Sequence, residues 1–248
     1  MLNLQTLKIE PFTELLSKSY ELTFGNLHPE YINFLRMASS TSLENIANGD
    51  MLYHNVDHTI MVTSVGQEII RGKHLFEGGF SAENGLNYLL ALLCHDVGFV
   101  KGACKKDDLE KSLFDNGEGE MIHVPETGTC ALLQPYHVSR GKLFVRERFD
   151  NFEFVDLDLV TDCIERTRFP VPEGQSHQRT DDLAGLARAA DLIGQLRDLS
   201  IFTKFLHFFT NVRNWSLIKQ WGANYQEVSG RGAPIFLGSV HKVCGRWC

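Results

Sequence analysis

The 248-residue sequence has no run of about 18 uncharged apolar residues, the length a membrane-spanning helix needs. It has no excess of basic charge either. Its 24 Lys+Arg stand against 31 Asp+Glu, for a formal charge of −7, and phosphate backbones select basic surfaces, so a nucleic-acid polymer is not expected as a partner. A small phosphorylated ligand held on a metal remains compatible with that balance. No Cys-x-x-Cys pair occurs among Cys94, Cys104, Cys130, Cys163, Cys244 and Cys248, so the cysteines read as scattered reduced thiols rather than a disulfide framework. The opening MLNLQTLKIEPF carries Lys8 and Glu10 where an export signal needs an apolar core. A cytoplasmic location is therefore expected. Internal repeats, coiled-coil heptads and low-complexity tracts are also missing.

What is present suits a folded domain. Hydrophobic residues make up 43% and charged residues 22%, enough apolar mass for a sizeable core. Most segments carry helical period. Glu30 to Ala47 reads as a helix or helix pair. His54, His58, Met61, Val65 and Ile69 fall on one face of a helix expected from Tyr53 to Ile70. A further helix is expected from Phe80 to Phe99, with Ser81 as N-cap and Gly98 closing it. Leu86 to Cys94 is apolar nearly all round, which places that helix centrally. Glu120–Val124 and Thr129–Leu133, joined by Pro-Glu-Thr-Gly, read as a small hairpin. Val155–Thr167 is helical up to Pro170 and Pro172. Asp181 or Asp182 can cap a helix carrying Leu183, Leu186, Ala190 and Ile193. An aromatic helix is expected over Ser200–Trp221. The expected class is all-α with a small β-hairpin insertion, as a single core over residues 1–221 and an irregular tail over residues 222–248.

Two histidine features carry chemistry. His54 and His58 sit one turn apart on an apolar stripe, where unpaired imidazoles cost about 1–3 kcal/mol each. His95-Asp96 ends the most apolar helix, where a carboxylate is costly unless paired or bound to metal. Polar groups at these positions offset the cost together if they converge on one divalent cation. Asp191, alone in an apolar helical run, is the best further ligand. A mixed His/Asp set suits a divalent Fe, Mn, Zn or Mg. Each feature alone has an ordinary explanation, such as a satisfied core histidine or a helix-surface charge. Their joint order is harder to attribute to coincidence.

That order, H…HD…D on helices, resembles the HD-domain superfamily of metal-dependent phosphohydrolases. Tyr53-His54-Asn55-Val56-Asp57-His58 also resembles the Y-H-N-x-x-H signature of cyclic-nucleotide phosphodiesterases, which share that core. The strings YHNVDHT, LLCHDVGFVKG, PYHVSRGKLFVRERF, RTRFPVPE and RAADLIGQL look like those of HD-like phosphohydrolases, and the resemblance runs from about Leu15 to Leu199. It implies an HD/phosphodiesterase-like helical bundle. It implies that His58, His95, Asp96 and Asp191 ligate a metal, with Asp96 placed to bridge to a second. It implies that His54 protonates the leaving oxygen, a task that a reference pKa of about 6.5 suits, while water activated by the cation attacks phosphorus. The catalytic pair would be His54 and Asp96.

The chain departs from the phosphodiesterases where their further histidine, four residues after the first of H-D, is Phe99. Cyclic nucleotides are therefore not the default substrate. For a second metal, His137 is the favoured ligand and His123 the lesser candidate. Arg140, Lys142 and Arg168 are the basic residues to hold a substrate phosphate, because Arg in particular suits bidentate phosphate contact. His241, Cys244 and Cys248 resemble a partial zinc set and are read as chance. The leading expectation is a metal-dependent phosphohydrolase acting on a small phosphate ester or nucleotide. The alternatives are an HD-type di-iron oxygenase and a non-catalytic nucleotide-binding module.

Overall fold

The computed structural model describes residue 4, residues 6–78 and residues 80–196. They form helices α1 (Thr6–Phe24), α2 (Pro29–Ala47), α3 (Val56–Glu77), α4 (Ala82–Cys94), α5 (His137–Phe149), α6 (Leu157–Arg166), the one-turn α7 (Gln175–Gln178) and α8 (Leu183–Leu196). Strands β1 (Leu113–Asp115) and β2 (Met121–His123) pair antiparallel, with Phe114 opposite Ile122. The described residues are mainly helical with one small sheet, as expected. The aromatic stretch Ser200–Trp221, the tail from residue 222, and His241, Cys244 and Cys248 lie outside the described residues.

Side chains set the helix starts. Asn55 accepts from His58 N–H at 3.1 Å, Ser81 from Asn84 N–H at 3.0 Å, and Asp156 from Leu159 N–H at 2.9 Å. Each bond satisfies a donor that the first helical turn leaves open. Pro29 opens α2 at a position where no N–H is needed.

The all-round apolar α4 is the centre of the core. Every residue from Gly85 to Cys94 is buried, and α2, α3, α5, α6 and α8 pack around it. The α3–α8 contact is the most extensive between any two elements. It is close at Gly194, where a Cβ would come within 2.8 Å of Val62 Cγ2. That proximity sets Asp191 of α8 opposite His58 of α3.

Three expectations about boundaries are corrected. α3 starts at Val56, because Asn55 caps it, so His54 precedes the helix instead of lying on its face. α4 stops at Cys94, and Gly98 lies in a following 3-10 turn, Val97–Phe99. The hairpin uses β2 as expected, but its partner comes before it. Gly117 and Gly119, at φ 82° and 96°, supply the reverse turn, and Thr129–Leu133 instead enters a 3-10 stretch, Cys130–Tyr136. Among the described residues, no helix is long and apolar enough to cross a membrane.

Candidate metal centre

The polar cluster sits where three elements meet. His58 lies in the first turn of α3, its backbone held by the Asn55 cap. His95 and Asp96 follow directly on α4, where the chain leaves the helix for the 3-10 turn. Asp191 projects from α8. All four are buried, at 2–6% exposure, in the interior of an otherwise apolar core.

Their donor atoms converge. His58 Nε2 lies 3.2 Å from Asp96 Oδ2 and 3.5 Å from Asp191 Oδ1. His95 Nε2 lies 3.2 Å from Asp96 Oδ2 and 3.8 Å from Asp191 Oδ1. Despite these separations, neither Nε2 atom has a hydrogen-bond partner of acceptable geometry, and His58 Nδ1 has none either. Buried polar atoms without partners need an explanation. Metal–ligand bonds of about 2.1 Å put neighbouring donors about 3.0 Å apart in an octahedron and about 3.4 Å apart in a tetrahedron. The observed spacings fall at and slightly beyond those edges, so the residues fit a divalent cation. His95 Nδ1 donates to the Leu92 carbonyl at 2.7 Å, which leaves the Nε2 lone pair facing the cluster. Gln195 Nε2 donates to Asp191 Oδ1 at 3.0 Å and fixes that carboxylate.

Electrostatics bind the set together even without a cation. Burial alone would push His58 down, but the Asp191 and Asp96 carboxylates outweigh it and raise it to about 9. His95 is likewise raised against its burial, by Asp96 and then Asp191. Burial would raise both carboxyls, yet the His54 and His95 imidazoles hold Asp96 well below its usual range, and His58 and His95 lower Asp191. The buried imidazoles are thus held toward their charged forms beside ionised carboxylates, and a cation can take the place of those protons.

His54 differs from the four. Its Nδ1 is 2.8 Å from Asp96 Oδ2, and its side chain is 21% exposed where His58 and His95 are 2%. It stands at the open side of the cluster. The Phe99 ring stacks on it at 4.4 Å between centroids and also stacks on His137 at 4.2 Å. Gly98 allows this arrangement, since a Cβ there would collide with the His137 carbonyl.

The structure brings together His54, His58, His95, Asp96 and Asp191, two overlapping groups of potential metal donors. It does not bring His137 into either group. The His137 ring is 6.5 Å from the His54 ring, its Nδ1 bonds the Gln134 carbonyl, and burial pushes it down to about 4. His123 is exposed on β2.

Arg140 is a correction. It is fully buried, and all five of its donor positions are used: Nε on the Gly98 carbonyl, Nη1 on Asp107 Oδ1 and the Asp115 carbonyl, Nη2 on the Val100 carbonyl and Asp107 Oδ2. None is left for a substrate, so Arg140 holds the fold. Lys142 and Arg168 both pair with Glu165, at 2.7 and 2.6 Å, and stay partly exposed. Burial would raise Glu165, but Arg168 and Lys142 hold it down at about 2. Arg168 is close enough to His137 for its charge to disfavour the imidazolium.

A family model for Npun_R2479-like proteins matches residues 2–236 of the chain. The chain belongs to that family. No curated protein and no solved structure matches it.

Sequence reasoning missed Asp107, Gln195 and the stacking role of Phe99. Asp107 sits in a charged loop that reads as solvated, and nothing local shows that its partner lies 33 residues away. Gln195, four residues after Asp191, was accessible from helical spacing.

Proposed function

We propose that this chain is a metal-dependent phosphohydrolase of the HD type, cleaving a small phosphate ester or nucleotide. The observation that carries the reading is the convergence of two imidazole nitrogens, each lacking a hydrogen-bond partner, and two carboxylates from three elements of a buried core. A lone buried histidine is common, but two imidazoles that each face the same two carboxylates at 3.2–3.8 Å are not explained by packing. The finer fold assignment, an HD/phosphodiesterase-like bundle, belongs to the same proposal and rests on the motif order.

His58, His95, Asp96 and Asp191 would hold the cation, which supplies Lewis acidity to a phosphoryl oxygen and lowers the pKa of water. The remaining work falls to the protein. Asp96 accepts from His54 Nδ1 and fixes the ring, so that Nε2 can carry a proton to a leaving oxygen. Phe99 keeps that ring from turning by stacking on it. Leu92 holds His95 in one tautomer through its carbonyl. The apolar walls of α4 exclude water from the ligand side, which strengthens every electrostatic contact there. Arg168 and Lys142, on the partly exposed Glu165, remain the cations available to a phosphate near the rim.

The test is a screen of phosphomonoesters and nucleotides with Mn, Fe, Mg and Zn, on the wild type and on His95→Ala. Cation-stimulated hydrolysis that His95→Ala loses supports the reading. Equal hydrolysis by both proteins, or none by the wild type with any cation, refutes it.

A further inference from the structure

Helices α6 and α8 pack together beside a strap, residues 170–182, that contains α7. Two arginines are buried at that junction, Arg166 at 3% and Arg188 at 4% exposure. Arg166 donates from Nη2 to Asp182 Oδ2 at 2.9 Å and from Nη1 to the Arg179 carbonyl at 2.8 Å. Arg188 donates from Nε to the Arg166 carbonyl at 3.0 Å and from Nη1 to the His177 carbonyl at 2.8 Å. Two donor atoms are left over. Arg166 Nε and Arg188 Nη2 are both buried and have no hydrogen-bond partner.

The charges do not balance. Among the described residues Arg188 has no carboxylate in ion-pair reach, and Asp182 alone pairs with Arg166. Asp182 is shared further, since it accepts from Gly185 N–H at 2.7 Å and faces Arg179 Nε at 3.5 Å. Glu165 is engaged by Arg168 and Lys142. Two guanidiniums with one divided carboxylate leave a buried positive charge uncompensated, which a fold tolerates poorly. Arginine does not escape by losing its proton. Both leftover donors call for an anion, and a tetrahedral oxyanion can take N–H groups from two guanidiniums at once.

We propose that Arg166 and Arg188 form a binding site for a phosphoryl-type oxyanion, roofed by the strap at residues 170–182. Neither arginine makes a hydrogen bond or ion pair with the metal-centre residues, although Arg188 lies one helical turn before Asp191 on α8. Both arginines also grip the strap through its carbonyls, at His177 and Arg179. Filling the site therefore tightens the strap. His177 in turn faces Glu165 at 3.7 Å, which carries the effect toward the Lys142–Arg168 rim.

The probe is inorganic phosphate, titrated calorimetrically into the chelator-treated full-length protein, with melting temperature as a second readout. The wild type should bind it saturably and melt higher. Arg188→Met should bind about tenfold more weakly or worse, because it loses a charge-assisted contact. No saturable binding to the wild type, or equal affinity for Arg188→Met, overturns the proposal. If Arg188→Met fails to fold, Arg188→Lys keeps the charge without the fork, and unchanged affinity in that variant overturns it equally. A non-hydrolysable nucleoside diphosphate with cation restored separates two sources of the anion. Weakening by both Arg188→Met and His95→Ala assigns the site to a remote phosphate of the substrate. Weakening by Arg188→Met alone assigns it to a separate small anion. Phosphate binding that survives in His95→Ala, with no hydrolysis by the wild type, would sink the hydrolase reading and leave this site standing.

Discussion

Replacing Arg140 by Met separates a structural arginine from a substrate-binding one. The guanidinium is 0% exposed and its ion pair with Asp107 is sealed on both sides. Removing it strands the Asp107 carboxylate in the interior and leaves the Gly98, Val100 and Asp115 carbonyls without their donor. Asp107 keeps the N–H groups of Gly102, Cys104 and Asp115, which soften the loss without neutralising the charge. Breaking one side of a buried pair costs about 3–5 kcal/mol, and in a domain of this size that lowers the melting temperature by roughly 10 °C. Thermal and urea denaturation measure it. Arg140→Met/Asp107→Leu should recover part of the stability, because no charge is then left unpaired, although the three carbonyls stay unsatisfied. Two of those carbonyls, of Gly98 and Val100, belong to the turn that follows His95-Asp96, so cation affinity in Arg140→Met should also fall, roughly tenfold. Unchanged stability together with lost substrate binding would refute the structural assignment and return Arg140 to the site.

Other outcomes follow from the same geometry. In the cation-free protein the His58 imidazolium contributes stability in full below its unfolded pKa of about 6.5 and loses it as pH rises through about 9. A cation must displace that proton, so its apparent affinity should strengthen between those values by up to about tenfold per pH unit for each proton released; a flat profile in a calorimetric titration would contradict the assignment of His58 as a ligand. The lowered Asp96 and Asp191 act in the opposite direction, contributing above the usual carboxyl range and failing as pH falls below it. His54→Gln should keep its cation and slow turnover about 100-fold or more; loss of the cation instead would make His54 a ligand. Arg168→Met should raise KM with little change in kcat, read from steady-state kinetics, and an unchanged KM would remove Arg168 from the substrate path.

Much of this centre could be read in advance because its signals are local. His95-Asp96 stands out against the apolar run Leu86–Cys94, and Asp191 stands out within α8, since a charged group amid core positions demands a partner. The α3 start was misjudged for a physical reason. His54 shares the spacing of the apolar stripe, but Asn55 is a strong N-cap and starts the helix only at Val56. Burial of basic residues was the least legible property. Arg140, Arg166 and Arg188 look like surface charges in sequence, and only partners distant along the chain, such as Asp107 and the strap carbonyls, bring them inside. The hairpin partner was missed because β1 has only three residues, too few for a period to show.

Metal content of the purified full-length protein, measured by elemental analysis beside Asp191→Ala, addresses the central claim most directly. The four-donor centre predicts a stoichiometric divalent cation in the wild type and a loss of most of it in a variant that still folds. A wild type that binds no divalent cation when one is supplied, or a folded Asp191→Ala that holds the cation as tightly, would contradict it.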